Sequence, residues 1–369
     1  MIKSFSCNIA AYFAVKLKSN TLMKYKNLHT NVKIIFLTLL AFITACTDHQ
    51  QPDVSAVKID LSTQRLDKDI YALDTNNLAT GLQHLKTLYP DFLDFYLDTL
   101  MGFNIDGVYT DSNEGIRKGL HTFLTYHDFR GLFDSIAQHY PDTKDIDAAL
   151  KKGFQYLKYY YPNYAIPQII YLNSNLNNYA AFTYDTLAIG IGLDMYLGDQ
   201  YPFYKSVGLP DYMYNKLTKN YIVPNVFTSV YRAMYPFDME GKTLLDMIIQ
   251  KGKEQYFLCK LIPFTAEKDR LGYTQQQLDW CNESEAAVYH FFVDKQMLYS
   301  TNLQLVFRYV NDGPTSAGMP SESPGNIGSW LGYKIVKAYM DKFPETTLPQ
   351  LLAIKDAQKI LQQSKYNPK

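Results

Sequence analysis

Three carboxylates stand where a side chain could meet a substrate. Asp194 closes the run Ile189-Gly190-Ile191-Gly192-Leu193-Asp194, just past a predicted strand, and Glu283 and Glu285 follow Trp280-Cys281 at a predicted helix start. A carboxylate pair can divide the roles of general acid and general base, or help bind a metal that activates water. At a helix start the same acids serve as caps or as partners of the helix dipole. The histidines after Cys46 add nothing to the set: His49, His84, His121, His127, His139 and His290 contain no H-E-x-x-H pair, the arrangement that puts two imidazoles one turn apart on zinc. Cys259 and Cys281 lack C-x-x-C spacing, and no G-x-S-x-G elbow occurs. The glycines of Asn326-Ile327-Gly328-Ser329-Trp330-Leu331-Gly332 are not followed by the Lys-Ser/Thr of a P-loop. No catalytic residue, metal ligand or cofactor is therefore assigned, and Asp194, Glu283 and Glu285 are carried forward as cleft residues.

The remaining reactive group is a thiol. An apolar run beginning near Ile34 ends in Ile43-Thr44-Ala45-Cys46, after which the chain turns polar. The run is about a dozen residues long, whereas a membrane span takes about twenty. With Lys24, Lys26 and Lys33 on its N-terminal side it reads as the core of a signal peptide, and Ile43 to Cys46 as a bacterial lipobox. The Cys46 thiol would take a diacylglycerol and the chain would be cut before it. Residues 1–45 are then a leader, with Met23 a better start than Met1. Residues 46–56 are a lipidated N-terminus and polar tether, and 57–369 are the globular body.

Removing the leader changes the charge. Segment 1–45 holds six lysines and no acid, so the 36 basic and 36 acidic residues of the whole chain become 30 against 36, a net of −6. A mildly acidic body has no electrostatic footprint for nucleic acid. The membrane is expected as a partner through the lipid anchor alone.

The elements that must position these residues are mostly helical. Leu78, Leu82, Leu85 and Leu88 mark one helix face ended by Pro90, and Phe92, Phe95, Tyr96 and Leu100 a second ended by Gly102. Further helices are expected over 115–126, 145–160, 224–235, 241–262, 274–300 and 327–340. Short β-branched and aromatic runs at 166–174, 179–186 and 187–193 predict a small sheet. In the helix after Pro224, Val226, Phe227, Val230 and Tyr231 form a buried stripe. Segment 311–326 is a long loop of Gly, Pro and Ser, a kind that tends to be functional or mobile. No internal repeat is visible. The reading is one α+β domain, mostly helical, with a small β-sheet. Whether Cys259 and Cys281 pair stays open.

Several stretches resemble one family. ALDTNNLATGLQHLKTLYPDFLDFY, LKYYYPNYAIPQIIYLNS, AIGIGLDMYLG, YIVPNVFTSVYRAMYP and SPGNIGSWLGYKIVKAYM together look like the gliding-motility lipoprotein GldB family, over nearly all of the chain after the lipobox. The resemblance implies a component of the envelope gliding machinery and its associated secretion system, working among other envelope proteins. It places the chain in the cell envelope, facing the periplasm, with the outer membrane favoured over the inner. It also implies a distant likeness to zinc proteases of the H-E-x-x-H type, hence a degenerate zincin-like fold. Phe227 with Tyr231, or Val226 with Val230, would stand where the two histidines stand, and such side chains cannot hold zinc. The expectation is a non-catalytic binding or scaffold protein, a pseudo-protease. The alternative is a metal-dependent hydrolase built on Asp194, Glu283 or Glu285.

Overall fold

The computed structural model describes residues 51–177 and 179–369. The leader, the lipobox and Cys46 lie outside the described residues. Asp53–Lys369 forms one compact unit. It starts within the stretch read as a tether, because Val54 is fully buried in the core.

A four-stranded sheet divides this unit into layers. Its strands are β1 (Thr63–Arg65), β2 (Gln168–Leu172), β3 (Ala181–Tyr184) and β4 (Ala188–Gly192), in the order β1-β2-β4-β3. β1, β2 and β4 run parallel, and β3 is an antiparallel edge. Alternation along the strands sends side chains to two cores. Ile169, Tyr171, Ile189 and Ile191 point into the larger core, Ile170, Leu172 and Ala188 into a smaller one. Both faces are therefore covered, as parallel strands require.

The smaller core is closed by N-terminal helices. We number helices of eight or more residues. α1 (Leu78–Leu88) buries Leu78, Leu82 and Leu85 but leaves Leu88 exposed, so its apolar face stops one turn short of the expected stripe. The second predicted face begins at Phe92–Asp94 and widens into a π-helical turn at Phe95–Leu100. α2 (His127–His139) is additional to the predicted elements.

The larger core holds α3 (Lys144–Tyr160), α4 (Ile222–Met234), α5 (Leu244–Leu261), α6 (Gln275–Glu283), α7 (Glu285–Asp294), α8 (Leu303–Val310), α9 (Ile327–Lys342) and α10 (Ala357–Ser364). The single helix expected over 274–300 is broken at Ser284, which ends α6 and precedes α7. The expected buried stripe of α4 is present: Val226, Phe227 and Val230 are fully buried and Tyr231 nearly so. The Phe227 ring packs on Phe154 with centroids 5.0 Å apart, over Gly153, where a Cβ would overlap it.

α5 and α9 cross backbone against backbone. A methyl at Gly332 would overlap the Ile248 carbonyl, and one at Gly252 would overlap Gly332. Ile327, Leu331, Ile335 and Tyr339 point inward from α9 as their four-residue spacing predicts. Cys259 and Cys281 are free thiols, Cys281 fully buried and Cys259 beside the Tyr333 hydroxyl at 3.5 Å.

Candidate functional site: a polar cleft along helix α4

The three carboxylates singled out by position have separate surroundings. Asp194 is fully buried at the C-terminal end of β4. One carboxylate oxygen accepts from the Ser174 amide at 2.7 Å, and the other accepts from the Ser174 hydroxyl and the Leu176 amide, each at 2.7 Å. Tyr204 donates to the Asp194 carbonyl at 2.9 Å while accepting from the Leu197 amide. Asp194 thus fastens the loop after β2 to the end of β4. Burial raises its pKa, against the three donated hydrogen bonds, which lower it. Ligands in open α/β sheets bind at this strand end, but here it is sealed.

Glu283 and Glu285 sit either side of the break at Ser284. Glu283 is exposed on a shallow groove with Gln277, Trp280 and Glu322. Glu285 pairs with Lys334 at 2.9 Å and accepts from the Tyr366 hydroxyl at 2.8 Å, tying α7 to α9 and the C-terminal segment. The partners of the three acids do not overlap. Among the described residues no three His, Cys, Asp or Glu side chains converge as a metal site would need.

A second, more enclosed cleft lies on the face of α4 opposite the buried stripe. Asn225, Thr228 and Arg232, at spacings of three and four, line a cavity of about 360 Å³. In keeping with the expected buried stripe, the pairs Phe227/Tyr231 and Val226/Val230 face the core, and the cleft sees Thr228 and Arg232. A helix cannot offer one stripe both to the core and to a ligand. Lys251, Glu254 and Gln255 of α5 form another wall, with Asp269 to Gly272 and Lys216 beside them. A recess of about 180 Å³ continues past Lys216, Gly272 and Asp312 toward Tyr212 and Asn215.

Charge in the cleft is mixed and largely paired. Lys216 meets Asp312 at 2.7 Å, Arg232 meets Glu254 at 3.2 Å, and Asp269 pairs outward with Lys268 at 2.8 Å. Lys251 forms no ion pair among the described residues. Desolvation opposes ionisation of Asp312, but Lys216, Lys251 and Asn326 outweigh it and hold its pKa below the usual carboxylate value. The cleft carboxylates are thus held as partners of cations.

The remaining wall is the 311–326 loop, and it is built rather than slack. The Ser316 amide donates to Ser323 Oγ at 3.2 Å, Ser316 Oγ donates to the Pro324 carbonyl at 2.8 Å, and Ser323 Oγ donates to the Pro320 carbonyl at 2.7 Å. Both serines are buried. Gly325 lies against the Gly313 backbone so closely that no Cβ would fit. Asn326 adopts a left-handed conformation, φ 56°, ahead of α9. Its carbonyl accepts from Tyr273 and its side-chain oxygen accepts from Ser329. Sequence reasoning marked this loop by composition. It missed Asn225, Thr228, Arg232, Lys216 and Glu254, whose only early signal was the polar face opposite an apolar stripe.

The loop and the start of α9 carry SPGNIGSW, the opening of one of the stretches that resemble the GldB family. A family model described as gliding motility protein GldB matches residues 47–368. The chain belongs to the GldB family. No curated protein and no solved structure gave a match. GldB membership ties the chain to gliding motility and to lipoproteins of the cell envelope. Among the described residues no helix is long and apolar enough to cross a membrane.

Proposed function

We propose that this GldB-family chain is a non-catalytic binding component of the gliding and secretion machinery, anchored through lipid on Cys46 and facing the periplasm from the outer membrane. Its cleft along α4 holds an extended polar segment of another envelope protein. The observation that carries the reading is the composition of the cleft: Thr228 and Gln255 offer a hydroxyl and an amide and Asn225 an amide oxygen, while Glu254, Asp269 and Asp312 are engaged by lysine and arginine. Such a lining suits hydrogen bonding to a peptide backbone, with Glu254, Asp269 and Asp312 held as partners of cations rather than poised as general bases.

Kinship with H-E-x-x-H proteases belongs to the same proposal. An antiparallel edge strand, β3, lies against the helix that follows the sheet, α4. That order of elements supports a protease-like ancestry in which the helix has lost its ligands.

The test is a photo-crosslinking side chain at Thr228 in cells, with a control at the exposed Lys118. We expect one dominant envelope adduct from Thr228, weakened by Arg232→Glu and absent from Lys118. Identical adducts from both positions would overturn the cleft as the binding site. One equivalent of tightly held zinc with chelator-sensitive peptidase activity would overturn the non-catalytic reading.

A further inference from the structure

A second cavity, of about 390 Å³, opens on the other side of α5, between the end of α4 and the segment Leu352 to Ala357. Its walls are mixed, with an apolar side formed by Met234, Phe237, Ile249, Leu352 and Ile354. That size falls in the range of small-molecule sites, about 300–1,000 Å³. Lys253 also lines it. The residue is 5 % exposed, and among the described residues its ammonium has one partner, the carbonyl of Ile354. An ammonium carries three donors and a full charge, and leaving it buried with a single neutral acceptor is costly. Burial accordingly pushes its pKa down to about 8. Asp238, Asp246, Lys242 and Lys355 also border the cavity, but Asp246 is engaged by Thr243 in the capping box of α5, and no carboxylate pairs with Lys253 among the described residues.

We infer that this cavity is a binding site for a carboxylic acid with an apolar body, its carboxylate paired with Lys253 and its chain lying along Met234, Phe237, Ile249 and Leu352. The ligand supplies both things the pocket lacks: an anion for the buried cation, and apolar surface for walls that otherwise face water. The site stands apart from the α4 cleft and does not depend on the function proposed for it.

The probe is decanoate, titrated against the full-length chain while the thermal midpoint is followed, with decanol and butyrate as controls. Decanoate should raise the midpoint in a saturable way. Decanol, which lacks the charge, and butyrate, which lacks the chain, should each bind about tenfold more weakly or worse, the factor that a charge-assisted hydrogen bond or a few buried methylenes carry. Lys253→Met should abolish the preference for decanoate over decanol. Equal stabilisation by decanoate and decanol in the unaltered chain would overturn the inference without need of any variant. So would an undiminished preference for decanoate in Lys253→Met, or the absence of any decanoate effect.

Discussion

Asp194 shows how much one residue's setting decides. Its place at a strand end invites a catalytic reading, yet three donors converge on its carboxylate inside the core. Asp194→Ala should cost about 3–5 kcal/mol, because it strands buried N–H and O–H groups and removes a compensated charge. Asp194→Asn, which turns one acceptor into a donor facing donors, should cost about 1–3 kcal/mol. Denaturant titration measures both, and a fully stable Asn variant would show that the residue is not a fastener. Lys253 makes the opposite prediction. Its folded pKa of about 8 lies below the ordinary 10.5. Between those values the unfolded chain binds more protons, so this group's contribution to stability rises with pH through that window. Lys253→Met should therefore raise the thermal midpoint at pH 7, by at most about 3 kcal/mol of stability, with the gain shrinking toward pH 10.5. A variant less stable than the parent at pH 7 would contradict this.

At the scale of elements, the sequence was most readable where apolar spacing is long and regular. α1, α3, α4, α5 and α9 and strands β2 to β4 fall where the pattern puts them. β1 was not readable, since three residues, Thr-Gln-Arg, offer no alternation and pair only because β2 lies beside them. α2 carries a helical set in Phe129, Leu132, Phe133 and Ile136, but its boundary at Tyr126 is an extended residue with no Pro or Gly to announce it. The cleft was hidden for a different reason. An apolar stripe names the face a helix buries, but not which part of the opposite face will be walled in by distant segments. Phe227→Ala should cost about 3–5 kcal/mol, as for a fully buried ring. Gly332→Ala should cost about 1–3 kcal/mol by forcing α5 and α9 apart. Chemical denaturation checks both, and an unperturbed Gly332→Ala would mean the crossing has room to spare.

At the scale of the whole molecule, the lipoprotein reading concerns residues that precede the folded unit. Cys46→Ala is expected to stop palmitate labelling and leave an unprocessed precursor, while Cys7→Ala changes nothing. Continued labelling of the Cys46 variant would remove the proposed anchor. Family membership and the layered body stand whichever way that experiment falls.

The α5–α9 crossing has a thermodynamic consequence for the segment proposed to dock along α4. One wall of the cleft comes from α5, and the loop opposite runs directly into α9, with its own serines stapling it shut. Both walls therefore descend from a single seam that has no slack. A cleft so preorganised loses little conformational entropy on binding, and the ordering cost falls on the incoming segment alone. Affinity for short partner peptides should then depend on their own stiffness: a proline-restrained segment outcompetes a glycine-rich one of equal contacts, and complexes of related segments differ in lifetime more than in the rate at which they form.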